Sequence, residues 1–306
     1  MVRFLDYANG RLERAIRAKR KVITLLNEQK QAIIHRTVTC GLDPSVHLKP
    51  SGIDWLGDIP EHWEAMRLKY VAKVQTGVTL GKTYGAAVLE PRPYLRVANV
   101  QDGYLDLQDI ATIHVPVSEA ASCELQAGDV LMTEGGDIDK LGRGYIWQGE
   151  IPGCLHQNHI FAVRAERSML LPEYLALLMT SIHGRSYFQL TAKQTTNLAS
   201  TNSTTLKAFP LFLPSIDEQQ KVLDYIAKET ASLDSAISRA LGEIDLIREY
   251  RTRLITDVVT GKLDVRSVEL PALDEAAVLD DFEEDEVADL AEETGEVEAD
   301  EEEDGD

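Results

Sequence analysis

The sequence lacks features that define several large classes of proteins. No apolar run in its 306 residues approaches the ~20 residues that a membrane-spanning helix needs, so no membrane segment is predicted. Its three cysteines are an odd number at scattered spacings, which does not fit a disulfide framework. The first residues contain no apolar segment of the signal-peptide type. These absences predict reduced thiols and a cytoplasmic protein.

Common catalytic motifs are absent as well. The chain has no GxxxxGK[ST] phosphate-binding loop and no GxGxxG fingerprint after a strand. It also has neither the Gly-rich cofactor loop nor the NPPY-like string of a DNA methyltransferase. These absences argue against an ATPase, a dinucleotide-dependent enzyme and a methyltransferase. We therefore expect no cofactor.

Basic residues are missing from one end of the chain. The formal net charge is −20, but residues 267–306 contain no Lys or Arg and many Asp and Glu, so the remainder is close to neutral. Few large apolar residues and strong self-repulsion predict a disordered acidic tail. The simple interpretation is a solubilising tail. The sharper one is a segment that mimics DNA or recruits a partner, and that competes with nucleic acid for a basic face.

A repeated helix is the most informative feature that is present. Residues 12–43 align without a gap on residues 233–264, and 11 of the 32 positions are identical. Solenoid repeats follow each other every ~20–50 residues, so a repeat this far apart is of another kind. It predicts two matching helical struts that frame one globular unit and act as a spacer.

Each copy of the repeat carries a two-position heptad pattern, which predicts a long helix. The first helix is expected over residues 11–39, and a capping box of Ser215 and Glu218 is expected to start the second. Their matched register predicts antiparallel pairing with each other, with Lys19 and Lys30 as polar breaks; pairing with another chain and packing on the globular unit are the alternatives. The predicted seam residues are Leu12, Ile16, Ile23, Leu26, Ile33, Leu233, Ile237, Ile244, Ile247 and Leu254.

The part between the helices has the pattern of a mixed domain. Residues 67–213 alternate short apolar runs with turns, which indicates strands. Within them, residues 171–189 are predicted to form one helix, with Pro172 at its start and Gly184 near its end. Before them lies a Pro- and Gly-punctuated linker whose apolar residues are expected to dock on the globular unit, namely Trp55, Leu56, Ile59 and Trp63. The predicted fold class is α+β, with two long helices forming an antiparallel coiled coil.

Several long strings of the sequence resemble the specificity subunits of type I restriction–modification enzymes. The resemblance covers nearly everything from about residue 4 to residue 266. The matching strings are KPSGIDWLGDIPEHW (49–63), LQAGDVLMTEGGDIDKLGRG (125–144), IPGCLHQNHIFAVR (151–164), PLFLPSIDEQQKV (210–222) and TGKLDV (260–265).

The resemblance implies a subunit that binds double-stranded DNA and performs no chemistry. In that family, target-recognition domains read DNA, paired helices set the distance between them, and methylation and restriction subunits assemble around this frame. Any extrusion of a base for methylation would belong to a partner. The expected segments are an N-terminal spacer helix (1–43), a linker (44–66), a target-recognition domain (67–213), a C-terminal spacer helix (214–266) and the disordered acidic tail (267–306).

This chain departs from the family pattern in two ways. Members usually carry two target-recognition domains, whereas this chain has one between two helices and so resembles a half-subunit. Two copies about a two-fold axis would read an inverted repeat, and a different second half-subunit would give an asymmetric target. The acidic tail is not part of the family pattern.

Two polar clusters contain the forked donors and acceptors that read base edges in the major groove. One joins the Gly-rich loop, including Asp137 and Asp139, to the segment that ends at His159. The other is the polar run from Lys193 to Thr204. The candidate DNA-binding residues are Lys140, Arg143, His156, Gln157, Asn158, Lys193, Gln194, Thr195, Thr196, Asn197, Thr201, Asn202 and Lys207, with Lys73, Thr79 and Lys82 as further phosphate contacts. The alternatives are a solvated loop for the run, and a structural turn for Gln157 and Asn158.

Other functions remain open at this point. Cys154, His156 and His159 are zinc-ligand types, but no second ligand pair has finger or ribbon spacing, so we expect no metal there. Glu134 with its two neighbouring aspartates could hold Mg²⁺ in a metal-dependent hydrolase, although no basic catalytic partner has a recognisable spacing. The main alternatives are a coiled-coil adaptor between proteins and a non-functional fragment of a split specificity gene.

Overall fold

The computed structural model describes residues 1–53, 56–85, 87–101, 103–136, 141–142, 144–194 and 198–270. In this part, the α-helices are α1 (Val2–Cys40), α2 (Val117–Cys123), α3 (Pro172–Thr180), α4 (Ile182–Thr191), α5 (Ser203–Ala208) and α6 (Ile216–Val259). Two 3-10 helices span Leu68–Tyr70 and Val97–Asn99. No described helix is long and apolar enough to cross a membrane.

The strands are short and belong to several small sheets. They are β1 (Leu48–Pro50), β2 (Asp58–Pro60), β3 (Glu64–Arg67), β4 (Ala72–Thr76), β5 (Leu89–Leu95), β6 (Ala111–Pro116), β7 (Asp129–Thr133), β8 (Gly135–Gly136), β9 (Gly144–Ile146), β10 (Leu155–His156), β11 (Ile160–Ala165), β12 (Lys193–Gln194), β13 (Ala199–Ser200) and β14 (Pro210–Leu213). The sheet orders are β4-β11-β7-β9, β10-β5-β6, β12-β13-β8, β14-β3 and β1-β2. The predicted mixture of helix and strand is confirmed.

The chain forms two compact units. Among the described residues, one contains Met1–Thr24 and residues 237–270, and the other lies within Leu25–Ala236. In the first unit, the start of α1 packs against the end of α6, where Leu254 and Val258 meet Phe4 and Leu5. Glu13 contacts Arg251 and Lys19 contacts Glu243, so the two helices are antiparallel there.

The second unit contains the other halves of the same helices. Lys30 Nζ lies 2.6 Å from Asp234 Oδ1, which again places α1 and α6 antiparallel. Ile34 and Val38 of α1, with Val222 and Ile226 of α6, belong to the main hydrophobic core. The predicted antiparallel pairing of two long helices is therefore confirmed. All ten residues of the predicted seam are buried or half-buried.

α1 begins nine residues earlier than its heptad pattern predicted. The expected start was residue 11, whereas the helix begins at Val2. The early turns are stabilised by the packing of Phe4, Leu5 and Ala8 against the end of α6. Helix stability in proteins comes mainly from such tertiary packing rather than from local propensity.

Only one half of the predicted capping box forms at the start of α6. The backbone N–H of Glu218 donates to Ser215 Oγ over 3.3 Å, so Ser215 caps the helix as expected. The Glu218 carboxylate instead accepts a hydrogen bond from Trp63 Nε1 at 3.0 Å and lies 3.0 Å from His62 Nε2. This side chain therefore fastens the segment before β3 to α6.

The main sheet is antiparallel around β11. β11 pairs with β4 and β7 over five residues each, and β9 covers the far side of β7. Asp129 at the start of β7 is 1% exposed and binds Arg164 of β11 through two hydrogen bonds of 2.7 Å. Removing one partner of such a buried pair costs about 3–5 kcal/mol. This bidentate contact fixes the register of the two strands.

The single helix predicted over residues 171–189 is two helices. α3 ends at Thr180, and Ser181 caps α4, its Oγ accepting a hydrogen bond from the backbone N–H of Gly184. Gly184 lies in the first turn of α4 rather than near a helix end. A Cβ at this glycine would lie 2.2 Å from the carbonyl oxygen of Met179, so the tight corner between the helices requires the absence of a side chain.

The predicted linker contains strands β1 and β2 and docks through a small apolar cluster. Leu56, Ile59 and Trp63 pack with Phe212 of β14 and are all buried. Trp55 lies outside the described residues. This segment is thus an ordered part of the second unit.

We predict that Ile244→Asp breaks the helix pairing of the first unit. Ile244 is 4% exposed, so the variant buries a carboxylate without a partner and should lower the free energy of unfolding by at least about 3 kcal/mol. The matched control is Leu246→Asp, because Leu246 lies two residues away on the same helix and is 65% exposed. Denaturant unfolding measures the stability of the two variants, and the mass in solution measures their oligomeric state. If Ile244→Asp is as stable as Leu246→Asp, the assignment of Ile244 to the helix-pairing seam is wrong.

Candidate nucleic-acid interface

The two polar clusters of the sequence meet at one edge of the main sheet. Because β7 and β11 are antiparallel, with Thr133 opposite Ile160, the residue after β7 lies beside the residue before β11. These residues are Glu134 and His159. The Glu134 N–H donates to the His159 carbonyl over 2.8 Å, and His159 Nδ1 lies 2.6 Å from Glu134 Oε2.

A small three-stranded sheet brings the second cluster to the same place. β13 pairs with β8, which follows Glu134 directly, and β12 pairs with β13 on its other side. The N–H of Thr201 also donates to the carbonyl of Glu134 over 2.8 Å. Residues far apart in the sequence, such as His159 and Lys193, are therefore held by one hydrogen-bonded framework.

Several polar side chains are accessible on this framework. His159 exposes 56% of its side chain, and Lys193, Gln194 and Ser200 are exposed. Asn158 is half-buried, and its Nδ2 lies 3.5 Å from His159 Nε2. Together these groups offer an ammonium, amides, a hydroxyl and an imidazole, which are the types that bind phosphates and base edges.

Several candidates lie outside the described residues. They are Lys140 and Arg143, their neighbours Asp137 and Asp139, and Thr195, Thr196 and Asn197. Their sequence neighbours Gly136, Gln194 and Ala199 belong to the small sheet. Their part in DNA binding stays a prediction.

Two candidates are buried and do not reach the surface. His156 is fully buried, and its Nδ1 lies 2.9 Å from the carbonyl oxygen of Ile160. Burial lowers the pKa of His156 to about 4, so the ring is neutral at physiological pH. Thr201 is 4% exposed. As placed, neither side chain can contact DNA, and both support the loops from inside.

Two further candidates have structural roles. Gln157 Oε1 accepts a hydrogen bond from the N–H of Val97 at 3.2 Å, and the Gln157 N–H donates to the Leu95 carbonyl at 2.9 Å. The structural turn considered for Gln157 is thus what the structure contains. Asn202 is the N-cap of α5, because its Oδ1 accepts from the N–H groups of Thr204 and Thr205. An Asn ahead of a short helical segment could have indicated this cap.

The proposed phosphate contacts differ in their surroundings. Lys73, Thr79 and Lys207 are exposed. Lys82 Nζ lies 2.8 Å from Glu119 Oε2, and this hydrogen bond raises the lysine pKa. Because a carboxylate already compensates its charge, Lys82 is a weaker candidate for a phosphate contact than the exposed Lys73 and Lys207.

The zinc interpretation fits the structure poorly. Cys154 is fully buried, and burial raises the pKa of its thiol to about 12, whereas a zinc ligand must be a thiolate. The rings of His156 and His159 are engaged by Ile160 and Glu134 respectively. Among the described residues, no group of three or more His, Cys, Asp or Glu side chains is arranged to hold a metal ion.

Glu134 belongs to this site although the sequence analysis did not include it among the DNA-binding candidates and considered it only as an alternative Mg²⁺ ligand. It orients His159 through its carboxylate and anchors two loops through its backbone. Glu134 directly follows an apolar strand and lies in one of the strings that resemble type I specificity subunits. This position is the sequence feature that could have indicated a role at the site. The carboxylate cannot bind phosphate, so its place at this edge is to hold the loops and the imidazole.

Comparison with known proteins supports the family resemblance. No protein-family model matches the chain. Its relatives include the type I restriction enzyme MjaVIII specificity subunit of Methanocaldococcus jannaschii, 23% identical over 255 residues, which are 81% of this chain and 56% of the relative. A second protein of that organism, assigned as the MjaX specificity subunit, is 24% identical over 207 residues, 67% of this chain and 47% of the relative.

A bacterial relative and a solved structure agree. The type I restriction enzyme EcoKI specificity subunit of Escherichia coli K12 is 24% identical over 176 residues, 56% of this chain and 37% of the relative. A chain from a structure of complex assembly and conformational transition in a type I R-M system superposes with a TM-score of 0.58 at 13% identity, covering 84% of this chain and 57% of that one.

These findings confirm the predicted fold and the resemblance to type I specificity subunits. The chain spans about half the length of the curated relatives it matches. That proportion agrees with the expected half-length form.

We predict that His156 makes stability depend on pH. The folded pKa of about 4 lies below the ordinary 6.5, so the unfolded chain binds more protons between these values, and stability falls as the pH falls through this window. His156→Gln removes this titration and should reduce the loss of stability between about pH 7 and about pH 4.5 by about 2–3 kcal/mol. Denaturant unfolding of the original protein and of the variant at both pH values measures this loss of stability. The control is His47→Gln at an exposed position; equal losses in both variants would contradict the assignment.

Proposed function

We propose that this chain is a non-catalytic DNA-recognition subunit of a type I restriction–modification complex. The observation that carries the proposal is the joining of two polar clusters at the edge of β7 and β11, within a fold similar to that of type I specificity subunits. A surface on ordered sheet edges can position donors and acceptors against a duplex. Action on cellular DNA would place the protein in the cytoplasm.

The described residues proposed to contact DNA are the accessible ones of the two clusters. Asn158 and Gln194 carry amides that suit adenine, and Lys193 carries an ammonium for guanine or phosphate. His159 is oriented by Glu134, and its exposed imidazole can hydrogen-bond a base edge or a phosphate. The remaining candidates of the set are Lys140, Arg143, Thr195, Thr196, Asn197 and Lys207. His156, Gln157, Thr201 and Asn202 are left out because their side chains are buried or engaged by backbone groups.

The coil of α1 and α6 is proposed to act as the spacer and as the platform for partners. One recognition unit reads one half of a bipartite target, so a complete reader needs a second half-subunit. A copy of this chain related by a two-fold axis would supply it and would require an inverted-repeat target. Methylation and restriction subunits would assemble on this frame, as the family resemblance implies, and any chemistry would belong to them.

Mapping DNA methylation tests this function. The chain is co-expressed with the methylation subunit of its own system, and methylated bases are mapped across a genome. A bipartite inverted repeat with a fixed gap supports two copies of this chain, and an asymmetric bipartite motif supports a different second half. Both outcomes support DNA reading. Absence of methylation with folded protein would overturn the proposal in favour of the adaptor or a non-functional fragment.

We also predict a specific effect of Lys193→Ala. If its ammonium neutralises one phosphate, the slope of log K against log salt should become shallower by about 0.9, since one counterion contact is lost. The matched control is Lys228→Ala, because Lys228 is an exposed lysine of the same unit, lies on α6 and belongs to neither polar cluster. Fluorescence anisotropy with a duplex over a salt series measures both slopes. Identical slopes for the two variants would show that Lys193 does not contact a phosphate of the DNA.

A further inference from the structure

Two long segments of the chain contain no acidic residue. Residues 65–89 include four Lys or Arg and no Asp or Glu, and residues 174–216 include three Lys or Arg and no Asp or Glu. The whole chain has 51 Asp or Glu among its 306 residues, so stretches of 25 and 43 residues without one depart from its acidic composition. The positive charge of these two segments is therefore not balanced within them.

The two segments adjoin in the structure. β3 pairs with β14 so that Arg67 lies opposite Pro210, and the N–H of Leu68 donates to the carbonyl of Phe209 over 2.9 Å. The side chains of Leu68 and Phe209 belong to the same core cluster as Leu206 of α5. The end of α5 therefore lies beside the first 3-10 helix.

Three exposed cations occupy the place where the segments meet. They are Arg67, Lys69 and Lys207, and we call them the basic surface. Lys69 Nζ lies 4.8 Å from the centre of the Tyr70 ring, which is itself 66% exposed. Within the part of the chain that the structure describes, none of the three cations forms an ion pair. Their charges are thus available to an anionic partner.

The guanidinium of Arg67 lies close to α5. Burial raises the pKa of the Tyr187 hydroxyl, and the nearby positive charge of Arg67 opposes this rise. The same hydroxyl donates to the carbonyl of Thr205 in α5 over 2.9 Å. Arg67 and the Lys207 of α5 therefore belong to one region of the surface, although 139 residues separate them in the sequence.

Carboxylates border the basic surface without compensating it. Glu64 begins β3, three residues before Arg67 on the same strand. The N–H of Glu166 donates to the carbonyl of Val71, and its carboxylate accepts a hydrogen bond from Ser168 Oγ over 3.0 Å. Neither carboxylate forms an ion pair with a cation of the basic surface.

The basic surface continues the second polar cluster. α5 begins directly after its N-cap Asn202, and Thr204 and Lys207 are exposed three residues apart, which places them on one face of the helix. At about 1.5 Å per residue, Lys207 lies roughly 6 Å along the helix from its first residue. Since base pairs of B-DNA follow each other at about 3.4 Å, this distance corresponds to about two base pairs.

We propose that the basic surface binds the phosphate backbone of duplex DNA independently of base sequence, beside the bases that the polar clusters read. Cations without carboxylate partners bind phosphates by releasing counterions, and such contacts position a protein on a duplex without carrying sequence information. The Tyr70 ring orients the Lys69 ammonium through a cation–π contact, and the Thr204 hydroxyl adds a neutral donor. The inference rests on the proposed function, because it adds a second part to the same DNA-binding surface.

Binding of the full-length protein to two duplexes of unrelated sequence tests this surface. Arg67→Ala with Lys207→Ala should make the slope of log K against log salt shallower by about 1.8, because two phosphate contacts are lost. The affinity at low salt should fall about tenfold or more, and by the same factor for both duplexes, because phosphate contacts affect all sequences alike. Fluorescence anisotropy over a salt series measures the slopes and the affinities.

Three further variants make the result specific. The matched control is Lys221→Ala with Lys228→Ala, which removes the same charge from exposed positions of α6 in the same unit and should leave the slope unchanged. Arg67→Lys with Lys207→Arg keeps both charges and should retain the original slope. Melting temperatures show whether each variant folds. If Arg67→Ala does not fold, Lys69→Ala with Lys207→Ala removes two cations of the same surface and should give the same change of slope.

The outcomes separate this inference from the proposed function. Equal slopes for the surface variant and its control would overturn the inference, and the proposed function would still be decided by methylation mapping. A loss of affinity for only one of the two duplexes would also overturn it, because it would show base reading. If the original protein binds neither duplex at low salt, the inference fails, and methylation mapping again decides the proposed function.

Discussion

The pairing of α1 with α6 is the constraint on which the rest of the structure depends. Each helix presents a narrow apolar stripe, which must be covered because an exposed stripe of this kind does not stabilise a long helix in water. In one unit the stripes cover each other, and in the other Ile34, Val38, Val222 and Ile226 also close the core around the sheet. The unit Leu25–Ala236 is thus held by helices from both ends of the sequence.

Polar residues in the seam fix how the helices pair. Lys19 and Lys30 occupy heptad positions that are otherwise apolar, and they reach Glu243 and Asp234 on α6. In a shifted register these half-buried ammonium groups would lose their carboxylates, and charged groups without partners are costly when desolvated. The two lysines therefore specify one antiparallel register, as polar residues do in other coiled coils.

The elements that could be predicted from the sequence are those with long or periodic patterns of apolar residues. The heptads of both helices, the cap at Ser215 and most strands were readable, whereas the start of α1 depended on tertiary contacts of Phe4 and Leu5. The corner at Ser181 was missed because apolar spacing continues across it, although a serine can cap a helix. Local sequence patterns show the helix or strand propensity of a segment and the period of its apolar residues. They do not show which side chains are covered by segments that are distant in the sequence.

The candidate interface shows the same limit at the level of single residues. The string from His156 to His159 contains four polar side chains, which the sequence alone treats alike. Folding separates them, because the chain turns directly after β10: His156 at the end of the strand is buried, Gln157 accepts a hydrogen bond from the N–H of Val97, and His159 in the turn lies against Glu134. Residue types can nominate a DNA-reading segment, but the pairing of β7 with β11 decides which of its side chains can face a duplex. Exposed residues in the loops at this edge can therefore change, and with them the groups that the surface offers to a ligand, without disturbing the buried residues that hold the loops.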